Sequence, residues 1–213
     1  MNEFDADSLS LCRERLPGLF DAALVRLRGR AARGSRDAVA ALDDRMGGRV
    51  ACRLQISGAP GGDVFLVAEG GRFRIDAGPP AGVPVGYALR MPADVVRRGF
   101  AWLDAGSIDA ARLGDVLLRL ASREAANLFT RYPCAFAARV AGVPEIGELA
   151  FALALGPGTF DAPHFTLSVP YAVLEEARGR GESPRDVLLS GKARIEGDSA
   201  RAMMLALTFA QLR

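Results

Sequence analysis

The sequence predicts an α+β fold in which antiparallel sheet meanders are covered by helices. Segments with alternating apolar and polar residues follow one another with short Gly- or Pro-rich turns between them, which is typical of antiparallel strands. Other segments repeat their apolar residues at helical spacing and begin after residues that can cap a helix. Half of the residues are hydrophobic, so the chain has enough apolar surface to form a core.

Composition excludes several classes of function. The 213 residues allow one large or two small domains, and a formal net charge of +2 gives no reason to expect a nucleic-acid partner. Cys12, Cys52 and Cys134 lie far apart and only one histidine is present, so we expect reduced, buried thiols in a cytoplasmic protein and no metal site. We also expect no signal peptide, and the uncharged runs are too short to span a bilayer.

Residues 1–35 are predicted to form a helical extension. Residues 1–7 are expected to be frayed. Apolar residues then recur at helical spacing from Leu9 onward, and Pro17-Gly18 interrupts the pattern. The sequence therefore predicts a short helix, a break, and a longer helix over 18–32.

The polar side of this extension is basic, with Arg13, Arg15, Arg26, Arg28 and Arg30. A basic amphipathic helix can lie on an anionic membrane, so a transient membrane contact is one interpretation. A solvated helix face is the other, and the residues favour it because Glu14 and Asp21 dilute the positive charge.

The remaining elements follow from the same patterns. The predicted first series is a helix over 36–46, strands over 50–57, 64–68, 72–76 and 85–91, and helices over 93–104 and 123–131. Residues 115–120 fit either a short strand or a turn of helix. After Pro133 the predicted series is strands over 135–140, 149–155 and 164–169, a turn at 156–158, helices over 171–179 and 184–189, a strand within 191–198, and a helix over 199–212.

An internal repeat relates the two halves. Four segments match in the same order: 73–77 with 158–162, 89–96 with 167–174, 115–118 with 186–189, and 119–125 with 194–200. Any one match is at the level of chance, but the shared order favours a duplication.

The last 24 residues carry the most specific motif. Ala193 and Ile195 alternate with charged residues, Gly197 permits a tight turn, and Asp198 or Ser199 can cap the helix that follows. This Ser-Gly-Lys-x-x-Ile-x-Gly-Asp stretch resembles the C-terminal signature of the sterol-carrier-protein type-2 family. The resemblance implies a small α+β domain with a hydrophobic lipid tunnel that the C-terminal helix helps to close. An ordinary core helix is the alternative interpretation of the same residues.

The order of elements is similar to that family in both halves. The resemblance implies two tandem sterol-carrier-like units at 36–132 and 133–213, forming an internally duplicated pseudo-dimer. The first unit departs from the motif, because Ser122-Arg123 stands where the second has Gly197-Asp198. One domain with strands from both halves is the competing arrangement.

No arrangement of residues predicts covalent chemistry. The sequence lacks a Gly-x-Ser-x-Gly elbow, a Walker loop and a Gly-x-Gly-x-x-Gly fingerprint. His164 could act as a general base, but a lone histidine beginning a strand is more often structural. Asp43-Asp44 and Glu175-Glu176 are adjacent on helices and so do not share a face. We therefore expect a protein that is not an enzyme and needs no cofactor.

The function that remains is non-catalytic binding or transfer of a hydrophobic ligand in an apolar tunnel, the ligand being a lipid, fatty acyl group, sterol or isoprenoid. The alternative is a structural or assembly module for a lipid-related enzyme. Adjacent methionines would give the terminal helix a deformable lining. The predicted lining residues are Phe100, Trp102, Leu103, Phe129, Met203, Met204, Leu207 and Phe209.

Overall fold

A computed structural model describes residues 7–58, 61–156, 160, 162–182 and 184–209. In this part of the chain the strands are β1 (Arg49–Ser57), β2 (Gly62–Glu69), β3 (Arg72–Asp76), β4 (Val85–Pro92), β5 (Cys134–Val143), β6 (Gly147–Leu155), β7 (Phe165–Pro170) and β8 (Arg194–Gly197). The helices are α1 (Ser8–Ala32), α2 (Arg36–Met46), α3 (Ala93–Asp104), α4 (Ala110–Leu120), α5 (Arg123–Arg131), α6 (Tyr171–Arg180), α7 (Pro184–Leu189) and α8 (Ser199–Phe209).

These strands form one mixed sheet in the order β3-β2-β1-β4-β6-β5-β7-β8. The α+β class is confirmed, but the expectation of purely antiparallel pairing is wrong. β1, β2 and β3 form the predicted antiparallel meander, whereas β4 lies parallel to β1 and β7 lies parallel to β5. A tight turn predicts an antiparallel pair only when the two strands that it joins are neighbours in the sheet. Here the chain after β3 crosses to the far side of β1, and Val83 of this crossover packs on Ala51, Phe65 and Val67.

The two halves of the sheet repeat one arrangement. In each half a hairpin is followed by a strand parallel to the hairpin's first strand, and Pro92 or Pro170 then precedes a helix. Antiparallel pairing of β4 with β6 joins the halves. The match is incomplete, because residues 119–122 end a helix and begin a turn, whereas the aligned residues 194–197 form β8. A duplication of the sequence remains a prediction.

One face of the sheet is apolar, and the other is mostly small and charged apart from a buried cluster of Phe65, Val67 and Val83. On the apolar face Val50, Cys52, Leu54 and Ile56 of β1 are at most 4% exposed, and all but Cys52 belong to clusters with residues of α1, α3 and α4. Alternation along the paired strands puts a different set on the opposite face, which includes Arg53, Gln55, Arg90, Ala135, Ala137, Ala150, Ala152 and Ala154. The helices therefore build the core on one side of the sheet only.

The first helix is continuous, so the predicted break at Pro17-Gly18 is wrong. Asp7 caps α1 by accepting a hydrogen bond from the Leu9 amide at 3.1 Å, and Pro17 lies inside the helix. A proline removes one helical hydrogen bond to the carbonyl four residues earlier, at Arg13. Arg13 is exposed, so water can replace that bond while the opposite side of the helix stays buried.

Residues 115–120 belong to a helix. Asp109 caps α4 by accepting hydrogen bonds from the amides of Ala111 and Arg112, at 2.8 and 3.3 Å. The frayed start predicted over 1–7 is wrong at Asp7, which caps α1, and its other residues lie outside the described ranges. The centre of the turn at 156–158 and the helix end at Leu212 also lie outside them.

Candidate hydrophobic binding site

The helices cover the apolar face of the sheet in two groups. α3 and α5 pack on β1 and β4, while α6 packs on β5 and β7 and α8 packs on β7 and β8. β6 lies between these groups at the centre of the sheet. From this arrangement we infer that the two groups of helices leave a groove with β6 as its floor.

The floor of this groove is apolar and partly exposed. Leu149, Phe151 and Leu153 of β6 point to the helical side of the sheet, and none of them is fully buried. Some residues of β4, β5 and β7 on the same face are also only partly buried, whereas Ala138 and Val140, which pair with Phe151 and Leu149, are 6% and 7% exposed. We call the resulting strip the β6 groove; it consists of Leu149, Phe151, Leu153, Leu89, Met91, Phe136 and Leu167. The same face of β1 is buried, whereas Leu66, Phe73 and Ile75 of β2 and β3 on this face are also only partly buried.

The end of the β6 groove beside α5 is closed by aromatic packing. The rings of Tyr87 and Phe129 meet edge to face with centroids 4.9 Å apart, and Leu155 beneath them is 1% exposed. The floor side chain Phe136 stacks on Phe165 at 5.1 Å. These contacts fix the closed end and hold Phe136 in one orientation.

The opposite end of the groove lies between α3 and the turn from β5 to β6. Trp102 of α3 packs beside the cluster that contains Val140, Val143 and Val169. The Arg98 guanidinium lies 3.7 Å from the Glu145 carboxylate, which connects α3 to that turn. At this distance and exposure the ion pair stabilises the arrangement only weakly, so this end can open at low cost.

The structure separates the predicted lining residues. Trp102 lies at the end of the groove beside α3, and Phe129 lies at its closed end. Phe100 and Leu103 belong instead to a cluster beneath α1, with Cys12 and Leu16. Binding by these side chains stays a prediction.

The predicted residues of α8 are also apart from the groove floor. Met203 is partly exposed, whereas Met204 and Leu207 are 47% and 42% exposed on the surface of α8. Met204 borders a cavity of about 200 Å³ beside Cys134 at the start of β5. The side chain of Phe209 lies outside the described residues.

Sequence reasoning missed the groove floor, although a signal for it exists. Leu149, Phe151 and Leu153 alternate with Ala150 and Ala152, so one face of β6 carries all the large side chains. This pattern indicates which face is apolar, but it does not indicate how far helices cover that face. The extent of the cover depends on where helices from both halves pack.

The groove and its surroundings hold little acid-base chemistry. His164 is exposed, and its Nδ1 lies 3.1 Å from the amide nitrogen and 3.2 Å from the carbonyl oxygen of Ala135. Among the described residues His164 makes no hydrogen bond or ion pair to a carboxylate, and no three metal-ligating side chains come together.

The cysteines and the groove tyrosine are held in their neutral forms. Burial raises the pKa of Cys12 and of Cys52 from 9.0 to about 12, and burial also raises the pKa of the Cys134 thiol. Burial raises the pKa of Tyr87 well above 10. Because thiolates and not thiols are nucleophilic, these side chains act as apolar packing groups at neutral pH.

No family model and no curated protein matches the chain. Over the described residues, none of the helices combines the length and the apolar composition that a bilayer span requires. A solved structure, the apo form of Sterol Carrier Protein 2 from Yarrowia lipolytica, is similar over 42% of this chain and 77% of its own, with 8% identity and a TM-score of 0.31. A TM-score this low supports no inference about function.

Proposed function

We propose that the protein binds a hydrophobic ligand in the β6 groove and performs no chemistry on it. The observation that carries this proposal is the incomplete burial of Leu149, Phe151 and Leu153 on the apolar face of the sheet. Each 100 Å² of apolar surface that a ligand and the groove remove from water stabilises the complex by about 2.5 kcal/mol, before the cost of association. Contact alone can therefore hold a ligand without a charged anchor.

The shape of the floor favours a long, narrow ligand. From Leu149 to Leu153 the strand advances four residues, which is about 13 Å at the usual rise of a strand. Leu89 and Phe136 flank Leu153 on the neighbouring strands, so the floor is three strands wide at that point. A fatty acyl chain, an isoprenoid or a sterol fits a strip of these proportions.

The test is a titration with cis-parinaric acid, a fatty acid whose fluorescence increases in apolar surroundings. Leu153→Trp adds bulk at the centre of the floor and is expected to weaken binding at least about tenfold, which corresponds to about 1.4 kcal/mol. Val25→Trp is the matched control, because Val25 is 65% exposed on α1 and outside the groove. Equal affinities of the two variants and the wild type for cis-parinaric acid would show that the fatty acid does not bind in the groove.

Met204→Trp separates the groove from the site that the sequence indicates. Met204 borders the cavity beside Cys134 and not the floor over β6. We therefore expect this variant to bind the fatty acid like the wild type. If Met204→Trp blocks binding and Leu153→Trp does not, the ligand lies against α8.

The alternative function, an accessory module for a lipid-related enzyme, is favoured by a different observation. Leu189, Met204 and Leu207 are 55%, 47% and 42% exposed on α7 and α8, two helices that pack on each other. Such a surface suits an apolar protein contact. This function predicts no saturable uptake of cis-parinaric acid, so the same titration decides between the two.

We also propose that residues 36–132 and 133–213 are two tandem sterol-carrier-like units. The support is the arrangement that both halves share: a hairpin, a parallel strand, and a helix that follows a proline. A relative containing only one such unit, with a complete sheet of its own, would support this origin. The proposal is wrong if relatives never contain one half without the other and if the two halves have no aligned residues in common.

A further inference from the structure

A second concave site lies on the helices of the first half and shares no residue with the β6 groove. Two adjoining cavities of about 620 and 170 Å³ share Leu27, Arg30, Ala41 and Arg45, between α1 and α2. The smaller cavity extends to Arg119 on α4. We call the joined space the arginine cleft.

The narrow end of the arginine cleft has an excess of positive charge. Arg30, Arg45 and Arg119 line it. Arg45 is only 8% exposed and its Nη1 lies 2.8 Å from the Asp44 carboxylate. The carboxylate that lines this end, Asp115, already accepts a hydrogen bond from Arg26 at 3.0 Å. The carboxylates of Asp44 and Asp115 therefore already have arginine partners.

Two of these three guanidinium groups have no protein partner among the described residues. Arg30 and Arg119 are exposed, and their side chains make no hydrogen bond or ion pair with any described residue. A guanidinium presents five N–H donors in a planar fork that matches phosphate and carboxylate oxygens. Two such groups facing one small cavity can bind a dianion, and a phosphate monoester is a dianion of that size near neutral pH.

The wide end of the arginine cleft has the opposite charge. Asp37 and Glu124 line it, and their carboxylates make no ion pair with a described residue. Between the two ends the wall is aliphatic, with Leu27, Ala38 and Ala41. A ligand that satisfies both ends has a phosphate at one end, a short apolar body, and a cationic amine at the other.

We propose that the arginine cleft binds a zwitterionic aminoalkyl phosphate, with its phosphate on Arg30 and Arg119 and its amine beside Glu124 and Asp37. Small soluble phosphates carry this group as a dianionic monoester, and phospholipid headgroups carry it as a monoanionic diester. The proposal is independent of the β6 groove, because the two sites have no residue in common.

The first experiment measures binding of O-phosphoethanolamine to the full chain by isothermal titration calorimetry. Arg30→Gln and Arg119→Gln are each expected to weaken binding at least about tenfold, because each loses a charge-assisted hydrogen bond to the phosphate. Neither substitution breaks a described side-chain contact, so both variants should fold, and circular dichroism checks this. Arg112→Gln is the matched control, since Arg112 is exposed on α4 outside the cleft. Absent binding, or equal binding by all three variants, overturns the proposal.

A second comparison tests the amine. Glu124→Gln is expected to weaken binding of O-phosphoethanolamine several-fold and to leave ethyl phosphate, which has no amine, unchanged. If ethyl phosphate binds the wild type as tightly as O-phosphoethanolamine, the assignment of the wide end to an amine is wrong.

Vesicles separate the two sources of this chemistry. The chain is sedimented with phosphatidylcholine vesicles in which some of the lipid is replaced by phosphatidylethanolamine. The blank is the chain in buffer without vesicles. Co-sedimentation that Arg119→Gln abolishes assigns the cleft to a headgroup. Calorimetric binding of O-phosphoethanolamine without co-sedimentation assigns it to a soluble phosphate.

Discussion

Gly197 connects the last strand to the last helix in a conformation that other residues adopt only with strain. Its φ is +100°, and a Cβ there would lie 2.6 Å from the carbonyl oxygen of His164. Gly191 has a similar φ of +71°, but its Cβ would meet nothing within 4 Å. Substitutions at the two glycines therefore distinguish the cost of backbone strain from the cost of steric contact.

We expect Gly197→Ala to lower the free energy of unfolding by about 2–5 kcal/mol, from strain together with overpacking. Gly191→Ala is expected to cost about 1–2 kcal/mol, from strain alone. Urea denaturation followed by circular dichroism measures both. Equal costs would mean that the close approach of Gly197 to His164 does not limit this position.

Cys52 makes the stability of the fold depend on pH in the alkaline range. Burial raises its pKa from 9.0 to about 12, so the unfolded chain loses this proton at lower pH than the folded chain does. The stabilisation is complete below about pH 9 and is lost as pH rises toward 12, at about 1.4 kcal/mol per pH unit for each such thiol.

Cys52→Ala should therefore reduce the loss of stability between about pH 9 and about pH 11 relative to the wild type. Urea denaturation of the reduced proteins at several pH values gives this slope. Cys12, whose pKa burial also raises to about 12, should retain part of the dependence in the variant. Parallel pH curves for wild type and variant would show that Cys52 ionises equally in both states.

At the scale of elements, the contact of α1 with α4 depends on a small residue. A Cβ at Gly114 would lie 2.5 Å from the carbonyl oxygen of Leu19 and 3.2 Å from the Cβ of Ala23. Gly99 is also inside a helix, but a Cβ there would meet nothing within 4 Å. The same substitution should therefore act in opposite directions at these two positions.

Gly114→Ala is expected to destabilise the protein by about 1–3 kcal/mol, because α1 and α4 must move apart. Gly99→Ala is expected to stabilise it by about 0.5–1 kcal/mol through helix propensity. Thermal unfolding of both variants beside the wild type checks the signs. A stabilising Gly114→Ala would show that α4 does not approach α1 so closely.

Helices with clear start signals were the elements that the sequence predicted best. The predicted bounds of the helices at 36–46, 93–104 and 123–131 agree with the structure, because Ser35, Pro92 and Ser122 mark their starts locally. The prediction was wrong where the bounds of an element depend on packing against residues that are distant in the sequence. Whether Pro17 ends a helix depends on whether packing of α1 against α3 and α4 outweighs the lost hydrogen bond, and the local sequence does not show that.

At the scale of the whole molecule, the cluster around Phe129 connects the two halves. Phe129 is 1% exposed and packs with Cys134, Leu155 and Phe165, which follow it in the second half of the chain. The β4–β6 pair adds hydrogen bonds across the same boundary. We therefore expect the described part of the chain to unfold in one cooperative transition.

Phe129→Ala is expected to lower the free energy of unfolding by about 3–5 kcal/mol and to weaken hydrogen-exchange protection in β1 and β7 together. Val116→Ala is the control, because Val116 is 44% exposed and should have little effect. If only the strands of one half lose protection, the units predicted at 36–132 and 133–213 fold independently.

The sequence by itself determined the α+β class, most helix and strand positions, and the alternation that gives β6 one face of large apolar residues. These properties follow from period, capping and turn residues, which act within a few positions along the chain. Only the tertiary structure decided that β4 pairs with β1 and β6, that Leu149, Phe151 and Leu153 at the centre of the apolar face stay partly exposed, and that Arg30 and Arg119 line one cavity. Each of these depends on contacts between residues far apart in the chain, and local patterns do not specify them.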